Sequence, residues 1–388
     1  AESLKHESGL QPNLTAADCL GGRKRERLPC RERVLAAIAH QEADRVPIDF
    51  WAVPEIMDRL RRLYGLSDDE TLLQYLGVDV RVIRGPSYAA LEMRRHPDGT
   101  IEDLWGVRRR VITVGEGEKQ GSYKELAYSP LATATTVREI ENYAGWPSPD
   151  WWDYSTISEQ IAGFSGYGVI FAGDRLDRTA QLKTCMYLRG IEQILIDLIE
   201  NPALVECMLA HINAYYVEYN RRVFEAAGGD IDIFMMGDDF GTQTAPFMSI
   251  VMWRRFFEDG FRTHIDLAHR YGVRVMHHTC GAVRPLIPLL IDAGLDILQS
   301  LQPRAVGMDL AGLKRDFGRD LVFHGAVDIQ QTLPFGTPDD VRTEVRQRLD
   351  AGKPGGGFII CTAHQIQVDV PLANVLALVE AYQEFAWY

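Results

Sequence analysis

No apolar run in this chain approaches the roughly 20 residues that a membrane-spanning helix requires, so no membrane association is expected. Positive charge is the scarcer sign. Lys and Arg number 41 against 54 Asp and Glu, and the net charge of −13 counts against general binding to a nucleic-acid phosphate backbone. Cysteine pairs of the CxxC type are missing. Cys19, Cys30, Cys185, Cys207, Cys280 and Cys361 are scattered, which asks for no disulfide framework in a chain of this length and fits a reducing cytoplasm. No GxGxxG follows the first β-prone run, which weakens the case for an open nucleotide-binding sheet. Internal repeats and low-complexity tracts are absent. The first thirty residues have no apolar core of a secretory signal; polar and Gly-containing, they are expected to form a flexible extension.

What is present is an ordinary globular composition, 46% hydrophobic and 24% charged, with ample material for a large core. "VPIDFW" (46–51) and "DVRVI" (79–83) read as strands, with helices around them. "GTIEDLWGVRRRVITV" reads as a β-hairpin insertion. From "YGVIFAGD" (167–174) onward, apolar strands alternate with long amphipathic helices: "IDIFMMGDD" (231–239), "VRVMHH" (273–278), "LDILQSL", "LVFHGA" and "GFIICTA" (357–363) each lead into one. Such alternation implies a buried parallel sheet. Counting from "VPIDFW" gives eight strands, and the expected fold is an α/β class (β/α)8 TIM barrel forming one domain over residues 31–388.

In a barrel, chemistry gathers at the C-terminal ends of the strands. Those ends carry Phe50 and Trp51, Asp174, Asp238 and Asp239 followed by Gln243, then His277, His278 and Cys280, Gln299 or Gln302, His324 and Asp328, and finally Cys361 and His364. In an extended segment, residues i and i+2 share a face, so His278 and Cys280 can reach one ion while His277 points away to pack. Cys361 ends another strand and offers a third donor. Nitrogen and sulfur donors suit zinc, and three protein ligands leave a position open for substrate. Against this stands the bland alternative: a lone cysteine is most often a small buried apolar residue. Asp238 and Asp239 are adjacent, so in a strand only one can face the site; it would serve as a base, a substrate anchor or a fourth zinc ligand, against the bland alternative of a helix-cap or loop carboxylate.

"GDDFGTQTAPFMS", "HHTCGAVRPLIPLLIDAGLDILQSLQP", "FHGAVDIQQTLPFGTPDDV" and "VPLANVLALVEAY" resemble the uroporphyrinogen decarboxylase superfamily, from about Arg31 to the end. The resemblance implies a (β/α)8 barrel and two branches, the decarboxylase of haem synthesis and the corrinoid-dependent methyltransferases. The decarboxylase carries an Arg-rich loop after its first strand; here the position reads "IDFWAVPEI" (48–56), without arginine. The methyltransferase branch carries His-x-Cys and a distant Cys as zinc ligands, which His278, Cys280 and Cys361 match. The last cysteine stands in "CTAHQIQ" rather than a Cys-Gly run, which puts coenzyme M in doubt as the acceptor and offers His364 as an additional or competing ligand.

The resemblance thus implies a zinc-dependent methyltransferase that moves a methyl group between a methoxy, methylthio or thiol substrate and a corrinoid (cobalamin). With no DxHxxG segment in the sequence, the corrinoid is expected on a partner protein. Asp239 (or Asp238) would orient the substrate or take its proton. Phe50 and Trp51 would form an apolar wall, and Asp174, Gln243, Gln302 and His364 would contact the substrate. Barrels of this family often pair, which leaves a homodimer open. The alternatives are a metal-free lyase acting on a smaller carboxylic acid, and a non-catalytic barrel that carries a corrinoid or tetrapyrrole.

Overall fold

Seven short runs rich in Val, Ile and Phe form one parallel sheet in the computed structural model, which describes residues 26–90, 93–117, 120–174 and 178–388. The strands are β1 (Val80–Ile83), β2 (Gly168–Phe171), β3 (Ile233–Gly237), β4 (Arg274–His278), β5 (Ile297–Ser300), β6 (Val322–Val327) and β7 (Phe358–Thr362). Their order in the sheet is their order in the chain. Parallel neighbours need a crossover connection, and the amphipathic helices supply it. β2, β3, β6 and β7 are buried at every position, as strands covered on both faces must be. The fold is α/β. No helix among the described residues is long and apolar enough to cross a membrane. The extension expected at residues 1–30 lies outside the described residues as far as residue 25.

The chain divides into two compact units. One comprises the described residues up to Val80, Gly166–Gly168 and Gln299–Tyr388. There β6 pairs with β7, His324 opposite Ile359 and Ala326 opposite Cys361. Helix Pro338–Gly352 starts with a capping box made by Thr337 and Asp340, and helix Leu372–Phe385 buries most of its length. The strand expected at 46–51 is reduced to a single parallel bridge, Ile48 to Ile360. The reason is local. Pro47 has no N–H to give a ladder, and the N–H of Ile48 donates to the Asp79 carboxylate at 2.7 Å. What survives is extended chain: Asp49 N–H donates to the Ile360 carbonyl, and Ile360 N–H to the Pro47 carbonyl.

The other unit comprises Arg81–Ser165 and Val169–Leu298. Its sheet strands β2, β3 and β4 pair in parallel. The expected hairpin is there, Ile101–Glu102 against Arg108–Val114, and gains a third antiparallel strand, Gly121–Tyr128. The helical stretch after β2 is broken into two helices, Leu182–Arg189 and Ile191–Glu200. Gly190 separates them at φ 95° and ψ 141°, a conformation that only glycine adopts without strain. The helix expected from "SIVMWRRFFEDGFRTHIDLAHRYG" contains one π turn, Arg254–Glu258.

Buried histidine makes this unit acid-sensitive. His264 is wholly buried, its Nε2 3.1 Å from the Asn213 side-chain oxygen, and burial lowers its pKa to about 4. The unfolded chain takes up that proton near pH 6.5 and the folded chain only near pH 4. Between those values the unfolded state binds more protons, so stability falls as pH falls. The wild type is expected to lose about 1.4 kcal/mol per pH unit more than His264→Gln across that window. Urea denaturation at pH 7, 6 and 5 measures it; parallel slopes for the two proteins would remove His264 as the cause.

Candidate metal site at the ends of two strands

β3 and β4 run in register, Gly237 beside His278, and both deliver polar side chains as they end. The loop after β3 is fastened to the loop after β4 by backbone bonds. Asp238 N–H donates to the His278 carbonyl and Ala282 N–H to the Thr242 carbonyl; Phe240 N–H donates to the Thr279 hydroxyl. Gly241 and Gly281 make the close approach. Gly281 has φ +85°, and a Cβ there would stand 2.5 Å from the Gly241 carbonyl.

This fastening brings Asp239, His278 and Cys280 together. The Cys280 Sγ lies 3.4 Å from His278 Nε2, and Asp239 Oδ1 lies 3.4 Å from the same nitrogen. One donor atom from each falls within 4.8 Å of the others. Zinc bonds of about 2.0–2.3 Å in a tetrahedral shell place neighbouring donors roughly 3.3–3.7 Å apart, and both spacings from His278 Nε2 fall in that range. His278 is buried, whereas the Asp239 side chain is 35% exposed, which leaves one side of the cluster open to a substrate. Lys183 reaches Asp239 at 3.6 Å, and Cys280 N–H donates to it at 3.1 Å. Burial alone would raise the Asp239 pKa; the His278 imidazole and the Lys183 ammonium overcome it and hold the carboxylate well below its usual range.

Asp238 plays the other part. It is 3% exposed, and its two oxygens accept the backbone N–H groups of Gln181 and Lys183 at the start of helix Leu182–Arg189. Burial raises its pKa to about 6, against the lowering effect of those backbone bonds. That value would suit proton transfer, but a carboxylate enclosed by backbone donors has no route to a substrate. His277 packs as expected, stacked on Phe240 and edge-on to Phe261.

Cys361 belongs to the other unit, where it forms a second buried group with Asp49 and His324. Asp49 accepts from Trp51 Nε1 at 2.8 Å and lies 2.8 Å from His324 Nε2. The Trp51 and His324 rings are 5.7 Å apart. Burial, then the charge of Asp49, pushes the Cys361 thiol up. The backbone near this group is strained: Ser300, Leu301 and Ala326 have φ of 102°, 49° and 90°, a region that costs non-glycine residues of order 1–3 kcal/mol each and clusters at functional sites. Phe50 is buried, Trp51, Gln302 and His364 are half-buried, and Gln243 is exposed. His364 is in neither donor group among the described residues. Asp174, 6% exposed, lines a cavity in the unit of Arg81–Ser165 and Val169–Leu298. Sequence reasoning missed Asp49, whose only signal was its place in "VPIDFW", and Lys183, which had none.

Residues 179–385 match the family model described as Uroporphyrinogen decarboxylase (URO-D). Proteins named uroporphyrinogen decarboxylase from two strains of Coxiella burnetii are 23% identical over 195 residues, 49% of this chain and 50% of theirs. The chain thus spans about half the length of the curated relatives it matches. A solved structure described as a methyltransferase from Methanosarcina mazei is 18% identical, with a TM-score of 0.62 over 92% of this chain and 99% of the other. The fold is shared between the two.

Proposed function

The chain belongs to the uroporphyrinogen decarboxylase family, and from that premise we propose that it is a zinc-dependent methyltransferase working with a corrinoid carried on a separate protein. One observation carries the reading: Cys280 Sγ and Asp239 Oδ1 each lie 3.4 Å from His278 Nε2, a spacing that neighbouring zinc ligands have. His278 and Cys280 would hold the ion. Cys361 is the third ligand implied by the family resemblance, and Asp239 is the oxygen already beside the first two. The fold shared with a protein described as a methyltransferase supports the branch, and a closed (β/α)8 barrel is the architecture that goes with it. Zinc bound there would supply Lewis acidity to the substrate's oxygen or sulfur.

The chain's own residues do the rest. Asp239, fixed as an anion by Lys183 and Cys280 N–H, orients the substrate. Its low pKa makes it a poor proton acceptor at neutral pH. In the demethylating direction, the methyl–oxygen or methyl–sulfur bond breaks and its electron pair stays on the heteroatom. A reduced corrinoid, when bound, would supply the electron pair that accepts the methyl group.

Metal content of the purified protein by plasma mass spectrometry tests the reading. About one zinc per chain is expected. No metal after anaerobic purification with added zinc would sink it and turn attention to decarboxylation of small organic acids. Cys361→Ala separates the two donor sets: loss of most zinc supports Cys361 as a ligand, and full retention leaves Asp239 as the third donor.

A further inference from the structure

The unit that holds the Asp239–His278–Cys280 cluster also contains a cavity of about 570 Å³, within the size range of small-molecule sites. Its lining comes from three places. Arg84 follows β1, and Asp174 follows β2. Asp103, Arg109 and Lys124 come from the three-stranded insertion. β2, β3 and β4 are parallel, so Asp174, Asp239 and His278 all lie at or just past the same edge of the sheet, and Asp174 places part of the cavity's lining at that edge.

The cavity has a rigid aromatic wall. Trp152 is 8% exposed, and its indole N–H donates to the Tyr215 hydroxyl at 3.0 Å. Tyr88 meets it edge-on at 5.1 Å, and Tyr219 at 5.2 Å. Rings locked in this way lose little freedom when a flat ligand enters. The lining carries three cations, Arg84, Arg109 and Lys124, against two carboxylates, Asp103 and Asp174. The Arg109 guanidinium covers the Tyr187 ring at 4.1 Å and pairs with Asp103 at 3.4 Å. Arg84 and Lys124 line the same cavity and have no ion-pair partner among the described residues. Met93 and Val111, 39% and 54% exposed, add apolar surface to the lining.

We propose that this cavity binds a flat aromatic anion of the benzoate type, its ring on the Tyr88 and Trp152 wall and its carboxylate held by Arg84 and Lys124. Only the ligand's role rests on the methyl-transfer reading: with it, the substrate is an aromatic carboxylate that bears a methyl ether or methyl thioether.

Titration calorimetry with benzoate, 3-methoxybenzoate and neutral benzamide tests the binding. Both carboxylates are expected to bind, and benzamide about tenfold or more weaker, since a hydrogen bond to a charged group exceeds a neutral one. The double variant Arg84→Ala/Lys124→Ala, changed only at exposed side chains, should weaken 3-methoxybenzoate by a similar factor. Equal binding of benzamide, no loss in the double variant, or no saturable binding of either carboxylate overturns the proposal. The two readings fail separately. Carboxylate binding by a protein that never holds zinc keeps this inference and removes methyl transfer. A zinc protein that turns over methyl donors but binds neither carboxylate does the reverse.

Discussion

Cys280→Ala is expected to empty the metal site and to cut methyl transfer by about four orders of magnitude or more, in a protein that stays folded. The thiol sits at the exit of β4 and is half-exposed, so its removal leaves no large cavity. What goes is the soft sulfur of a sulfur–nitrogen pair 3.4 Å apart, and with it the pair that suits zinc. Asp239→Asn is the control. The amide keeps the size of the side chain but loses the charge that Lys183 and His278 face. Turnover should fall by about 10²-fold with most of the zinc retained. Metal content and single-turnover transfer to a cobalt(I) corrinoid, measured on the same preparations, decide it. Equal loss of zinc and turnover in Asp239→Asn would make that residue a ligand. Full activity in Cys280→Ala would remove the metal from the mechanism.

The strand-and-helix alternation of the C-terminal half is legible because buried parallel strands write themselves as unbroken apolar runs, and "IDIFMMGDD", "VRVMHH" and "GFIICTA" all form strands where the pattern puts them. The "VPIDFW" strand fails for a reason hidden in the sequence: whether Ile48 gives its N–H to a ladder depends on Asp79, far along the chain. His278 and Cys280 meet as the i, i+2 spacing demands. Asp239 joins them through register, since β3 and β4 must end together for its carboxylate to arrive. Alternation also explains how the neighbouring aspartates separate, one capping a helix and one facing the cluster. The Asp49–His324–Cys361 group combines residues from three distant segments, and no local spacing announces it. The same holds for Arg84 and Lys124, which line one cavity only through the fold of the insertion.

Asp79→Ala is expected to destabilise the protein by about 3–5 kcal/mol, a large part of the roughly 5–15 kcal/mol that holds a domain folded. Asp79 is wholly buried and accepts four bonds: from Arg33 Nη1 at 2.6 Å, from Arg45 Nη1 and Nη2 at 2.6 and 3.0 Å, and from Ile48 N–H at 2.7 Å. Arg33 is itself 0% exposed and Arg45 3%. Asp44 and Glu26 complete the network from its outer side. Removing the central carboxylate leaves two buried guanidinium groups with one anion fewer and Ile48 N–H without its acceptor. The cost is that of uncompensated buried charge, larger than the worth of the intact pairs. Asp79→Asn, which keeps one oxygen for Ile48 N–H, should fall between the variant and the wild type. Thermal unfolding measures both: a drop of roughly 6–15 °C is expected for Asp79→Ala. A drop of less than about 2 °C would mean that Asp44 and Glu26 suffice to neutralise the two arginines. The network would then position the segment from Ile48 to Trp51 without stabilising it, and the geometry of Asp49 against His324 would change before the melting temperature did.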